Sequence, residues 1–288
     1  MTRCFFVSDL HGRHNAYREL FRIIAAEQPM AVFVGGDFLP SRHQAHAYPL
    51  NDFIRGFMLP ELTRLRHDMT TAYPSVFLIM GNDDARTEEA AALELHDQGL
   101  IHYIHNRSEP FESYRIYGYA YVPPTPFRLK DWERYDISRY LDPGDVSPEE
   151  GVCSTTIDER ERKYSTIKDD LALLAGDTSL EHAVFLFHAP PYRTHLDRCA
   201  LDDIKVDGVQ LDTHVGSIAI RSFIETRQPL LTLHGHIHES PRLTGSWRDL
   251  IGRTHLFSAA HDGAELALIQ FDLGDLGRAV RRLIPLEV

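Results

Sequence analysis

Apolar positions along this chain gather into short unbroken runs, and each run stops at a carboxylate, an amide or an imidazole. Cys4 to Ser8, Ala31 to Gly35, Val76 to Met80, Ala183 to Phe187 and Leu230 to Leu233 lack the alternation of a half-exposed strand, so each predicts a strand covered on both faces. The first ends in Asp9-Leu10-His11-Gly12, the second in Gly36-Asp37 and the third in Gly81-Asn82-Asp83-Asp84. The fourth ends in His188, and the fifth runs through Gly235, which lets the backbone turn, into His236-Ile237-His238. Between the runs the period lengthens. Tyr17, Leu20, Phe21 and Ile24 lie at i, i+3, i+4 and i+7 and predict a helix over Asn15 to Glu27. Asn51 to Tyr73 predicts helix broken or restarted at Pro60. Thr87 to Gln98 predicts a helix closed by Gly99 at C′. Thr155 to Leu174 and Ser217 to Arg227 predict two more. Strand, helix and strand in succession pair in parallel, which sets the class as α/β.

The remaining chain is less regular. Ile101 to Val122 predicts short, tyrosine-rich β segments, after which Pro123-Pro124-Thr125-Pro126 breaks the pattern. Phe127 to Gly151 reads as a long irregular insertion, and Arg193 to His214 as a polar, acidic loop. A further polar loop spans Pro40 to Pro49, and Thr254 to Phe257 and Ala267 to Phe271 predict closing strands. The chain length of 288 residues fits one domain over 1–288 with the insertion at about 123–151. The insertion and the Arg193 to His214 loop adjoin strands that end in candidate ligands and are expected to shape a pocket. Arg128, Lys130 and Arg134 in the insertion are read as groups for a distal phosphate or as solvated charges.

Composition narrows the function. A formal net charge of -12 argues against gripping a nucleic-acid backbone, whereas a small phosphorylated substrate stays compatible if metals supply local positive charge. Cys4, Cys153 and Cys199 are widely spaced and odd in number, which predicts reduced thiols and a cytoplasmic location. The apolar run after Met1 is too short for a signal peptide, and no later stretch predicts a membrane span. Nothing in the sequence fixes an oligomeric state.

The strand tips together offer Asp9, His11, Asp37, Asn82, His188, His236 and His238, carboxylates, imidazoles and an amide without a thiolate. This set suits borderline divalent transition metals, with Mn favoured and Fe, Zn or Ni compatible, and it is too large for one ion. Two cations sharing a carboxylate is the natural arrangement. The ordered motifs D-x-H, G-D, G-N-x-D, H and G-H-x-H resemble those of the calcineurin-like metallophosphoesterases, from Asp9 to His238. That resemblance implies a four-layer α-β-β-α sandwich, two mixed β-sheets flanked by helices. It also implies that Asp9, His11 and His238 hold one metal, that Asn82, His188 and His236 hold the other, and that Asp37 bridges them. The implied reaction is hydrolysis of a phosphomonoester or phosphodiester by a metal-bridging hydroxide.

One position departs from the family pattern: Asp83 stands where a histidine usually contacts phosphate or protonates the leaving group. Asp83 is kept as a candidate catalytic residue in its place; either another histidine, His14, His195 or His214, supplies the proton, or the substrate has a leaving group that needs little help. A metallo-β-lactamase-type hydrolase is set aside, because Ser240 and Pro241 stand where that family requires Asp and His after its histidine pair. The alternative from another class is a metal-binding scaffold with a phosphoesterase fold and no turnover.

Overall fold

The computed structural model describes residues 2–41 and 53–287. Most of the predicted Pro40 to Pro49 loop and the first two residues of the Asn51 to Tyr73 helix lie outside the described residues. The chain opens with β1 (Arg3–Val7), α1 (His14–Glu27) and β2 (Ala31–Gly35). A π-helical turn, Phe53–Met58, then leads into α2 (Leu59–Met69), where Pro60 occupies the first turn, a place that needs no amide donor. There follow β3 (Ser75–Ile79), α3 (Glu89–Asp97), β4 (His102–Tyr103), β5 (Arg107–Phe111) and β6 (Tyr114–Tyr119). Gly99, at φ +67, ends the α3 segment as predicted.

Thr155 to Leu174 is two helices rather than one, α4 (Glu159–Tyr164) and α5 (Ile167–Ala175). The reason is local: Thr166 adopts extended backbone, and its side chain accepts from the Asp169 amide, which starts a new helix. After β7 (Ala183–Phe187), the acidic loop contains a small hairpin, β8 (Lys205–Val206) and β9 (Val209–Gln210), turned at Asp207-Gly208. The chain finishes with α6 (Ile218–Arg227), β10 (Leu231–His234), α7 (Ser240–Thr244), β11 (Arg248–Ile251), β12 (Thr254–Ser258), β13 (Leu266–Asp272) and β14 (Asp275–Ile284).

The strands form two mixed six-stranded sheets, ordered β14-β13-β1-β2-β3-β4 and β11-β12-β10-β7-β6-β5. β1 to β4 pair in parallel in the first, as do β6, β7, β10 and β12 in the second, with antiparallel strands added at the edges. With helices outside the paired sheets, this is the expected α-β-β-α sandwich. Phe257 of β12 meets Phe271 of β13 between the sheets, ring centroids 5.8 Å apart. Gly118 of β6 lets the sheets come close here, since a Cβ there would stand 2.8 Å from Ile79 of β3. One connected hydrophobic core joins both sheets, and the C-terminal ends of β1, β2, β3, β7 and β10 come to a common rim. No helix among the described residues is long and apolar enough to cross a membrane.

Candidate metal centre

All the strand-tip residues lie on this rim, two on turns that leave β1, one past β2, one past β3, one past β7 and two past β10. The β1 and β2 turns run side by side, with the Asp9 amide donating to the Gly36 carbonyl at 3.0 Å and the His11 amide to the Asp37 carbonyl at 2.9 Å. The tip of β10 closes on β1, because the His236 amide donates to Asp9 Oδ1 at 3.0 Å. Asp9, His11, Asp37 and His236 all have positive φ, at 57°, 44°, 47° and 74°. Left-handed backbone is uncommon outside glycine, and it points these side chains back toward the rim.

Asp9, His11, Asp37 and His238 offer ligand atoms that all lie within 4.8 Å of one another. His11 Nε2 and His238 Nε2 face each other at 3.3 Å, and His238 Nε2 is 3.4 Å from Asp9 Oδ1. A second group adjoins the first through Asp37. His188 Nε2 lies 3.3 Å from Asp37 Oδ2 and 3.0 Å from Asn82 Oδ1, and the His236 ring stands 5.2 Å from that of His188. The His188 Nδ1–H donates to the Gly35 carbonyl at 2.7 Å, which fixes the tautomer and leaves Nε2 to face the carboxylate.

The electrostatics are those of a cation site. Burial would raise the Asp9 carboxyl, but the hydrogen bond from His238 and the surrounding imidazoles outweigh it and hold its pKa at about 2. Asp37 is likewise held below the usual range: burial is opposed by His188 and His11. Burial would lower His188, yet Asp37 and Asp9 lift it to about 9. His11 rises to about 9 in the same way, burial being overcome by Asp83, Asp37 and Asp9. His236 goes the other way, to about 3, through burial and the neighbouring His188.

The residues fit divalent cations. Two imidazole nitrogens converging at 3.3 Å repel unless a proton or a cation lies between them. The hollow beside Asp37 exists because residue 81 is glycine: a Cβ there would be 2.3 Å from Asp37 Oδ1 and 2.7 Å from His188 Nε2. At Gly235 a Cβ would be 2.7 Å from Asp9 Oδ2. Carboxylates, imidazoles and an amide without thiolate make a donor set for borderline metals.

The other expected residues fall in different places. Asp83 stands beside His11, its Oδ2 3.4 Å from Nδ1. His14, at the start of α1, stacks on Phe57 of the π-helical turn, centroids 4.1 Å apart, and on Phe53 at 5.6 Å. His195 is 3.0 Å from Asp249 on the surface. His214 donates from Nδ1 to Asp197 at 2.8 Å. Asp197 is fully buried and also accepts from the amides of Arg193, Thr194 and Gly216.

Lys130 and Arg134 are neither phosphate ligands nor solvated. Lys130 is buried in an ion pair with Glu133, and Arg134 lies over the Tyr121 ring between Glu161 and Asp170. These pairs anchor the insertion, as does Asp136, which accepts from Ser217 Oγ and the first amides of α6. The acidic loop is tied to the β10 tip, where Ser240 Oγ donates to the His195 carbonyl and Cys199 Sγ to Glu239. Asp84, within the sequence motif, accepts from the amides of Gly81, Leu39 and Phe38 and so joins the β2 and β3 turns.

The family model for calcineurin-like phosphoesterases matches residues 2–240. Among solved structures, one aligns over 99% of both chains with 16% identity and a TM-score of 0.60. The protein TT1561 of Thermus thermophilus aligns over 99% of both chains with 15% identity and a TM-score of 0.54. A dimetal phosphatase from Danio rerio aligns over 93% of this chain and 91% of its own, with 12% identity and a TM-score of 0.51. At these identities the structures share the fold. No curated protein matches the chain by sequence. With its sheets, rim and matched residues in agreement, the chain belongs to the calcineurin-like phosphoesterases.

Proposed function

We propose that the protein hydrolyses phosphoric esters with two divalent cations, Mn the first choice, held by Asp9, His11 and His238 on one side and by Asn82, His188 and His236 on the other. Asp37 faces both groups, and that shared carboxylate is the observation that carries the reading: its Oδ2 is 3.3 Å from His188 Nε2 and 4.0 Å from His11 Nε2. The description of the Danio rerio relative as a dimetal phosphatase supports two cations. Bound there, they would polarise phosphoryl oxygens and activate water for in-line attack. The protein supplies the rest. Left-handed turns at Asp9, His11 and Asp37 fix the ligands, and the anchored insertion and acidic loop form the walls.

His214 is the residue built to protonate the leaving group. Its Nδ1 is held by a buried carboxylate that three amides keep in place, and its side chain is 30% exposed. The Ser217 amide binds the Pro190 carbonyl, which sets this loop against the turn that follows His188. The physiological substrate is a small phosphomonoester or phosphodiester.

The test is to load purified protein with Mn(II), count the bound ions and assay p-nitrophenyl phosphate and bis(p-nitrophenyl) phosphate. Two equivalents with hydrolysis of either ester support the reading. Two equivalents without turnover on any ester favour the scaffold, and failure to bind metal removes both. His214→Gln should steepen the dependence of rate on leaving-group pKa without lowering metal content.

A further inference from the structure

Asp83 departs from the family pattern, yet its surroundings are well defined. The Asp84 amide donates to the Gly81 carbonyl at 3.2 Å, forming a tight turn with Asp83 inside it. The Asp83 amide donates to Asp37 Oδ1 at 2.8 Å, while its carboxylate turns toward the β1 loop. There Oδ2 stands 3.4 Å from His11 Nδ1. That nitrogen is buried and has no hydrogen-bond partner among the described residues, so 3.4 Å is an ion-pair contact short of a formed hydrogen bond. The other ring nitrogen of His11 points away, toward His238 Nε2 at 3.3 Å. The His11 main chain is already bound to Asp37. Residues 11, 37 and 83 therefore close a triangle in which two amides bind Asp37 and one carboxylate faces an imidazole.

We propose that Asp83 is a positioning residue for His11, a carboxylate that takes the Nδ1–H and directs Nε2 to the cation shared with Asp9 and His238. The inference rests on the two-cation reading above. A carboxylate behind a metal-binding imidazole fixes its tautomer, aims its lone pair and raises its basicity. A neutral imidazole at position 83 would offer no anionic acceptor there. The exchange of histidine for aspartate thus moves this position from the substrate to the metal, and it leaves the proton to another group such as His214.

The experiment uses the full chain with Zn(II), comparing wild type with Asp83→Ala and Asp83→Asn. Stepwise affinities come from competition with a chromophoric chelator, and ring correlations of 15N-histidine-labelled protein report the His11 tautomer. In wild type, two equivalents bind and His11 carries a proton on Nδ1. Asp83→Ala should weaken one equivalent roughly 10–100-fold and leave the other within about threefold, with loss of the Nδ1–H signal. Asp83→Asn should recover part of the affinity, because its amide oxygen still accepts. Unchanged affinities and tautomer in Asp83→Ala overturn the inference while sparing the two-cation reading. Equal weakening of both equivalents, or a metal-loaded structure with Asp83 as a direct ligand, also overturns it. Wild-type protein that binds no Zn(II) overturns the two-cation reading and the inference with it.

Discussion

Replacing His105 with glutamine should flatten the acid side of the stability curve of the metal-free protein. His105 is buried, its Nδ1 accepts from the Ala120 amide at 3.1 Å, and its ring stands edge-on to Trp132 at 4.9 Å and Tyr121 at 5.0 Å. Burial, and then Arg134, Arg86 and Arg107, hold its pKa down to about 3. Its folded value is therefore depressed below the ordinary 6.5, so the neutral ring's stabilisation is complete above pH 6.5 and is lost as pH falls toward 3. Each proton taken up on unfolding gives a slope of about 1.4 kcal/mol per pH unit, which amounts to about 2 kcal/mol between pH 8 and pH 5. Glutamine can still accept from Ala120 but does not titrate. Urea unfolding in EDTA from pH 8 to pH 4 measures the slope for both proteins, so any constant loss in the variant cancels. His234, lowered by burial, and His236, lowered by burial and His188, act with the same sign and remain in both. Parallel curves between pH 6.5 and pH 4 would refute the reasoning, for His105 would then bind its proton equally in the folded and unfolded chain.

Three further outcomes are expected. Asp37→Ala should reduce both metal equivalents together in elemental analysis, because the two ligand groups meet at that carboxylate; normal occupancy with normal activity would count against the shared site. Gly81→Ala should keep the fold by circular dichroism but lose metal, since its Cβ would lie 2.3 Å from Asp37 Oδ1; full metal content in that variant would show that the hollow is not needed. Lys130→Met should cost about 3–5 kcal/mol at pH 8 by leaving the buried Glu133 carboxylate unpaired. Burial pushes Glu133 up to about 7 even with Lys130 pulling it down, so without Lys130 the carboxyl takes its proton at higher pH and the cost should shrink as pH falls toward 7; a loss that stays constant from pH 9 to pH 7 in urea titrations would contradict this.

The central strands were legible because burial on both faces leaves no room for polar alternation, and the candidate ligands because each strand stops at its rim. Other elements depend on partners that local pattern does not reveal. β14 carries Arg278, Arg281 and Arg282 on an edge strand, which hides its apolar period. The break between α4 and α5 depends on one threonine hydroxyl in a stretch that otherwise reads as helix. Lys130 and Arg134 look like surface cations until Glu133, Glu161 and Asp170 are brought to them by the fold. At the centre, residue types picked out the side chains that the rim brings together, but what Asp83 faces depends on the direction its side chain takes across to β1.

The left-handed backbone at Asp9, His11, Asp37 and His236 sets selection for durability against selection for function. Each such position costs of order 1 kcal/mol for a residue with a Cβ, and glycine would relieve it. A screen that rewards heat resistance alone would therefore be drawn to His11 and His236, since Asp9 and Asp37 also hold the His236 and Asp83 amides, and would discard candidate ligands there. Glycine at His11 or His236 would yield a sturdier backbone stripped of candidate ligands, so stabilised variants of this protein are best sought away from the rim, on the helices and outer strands.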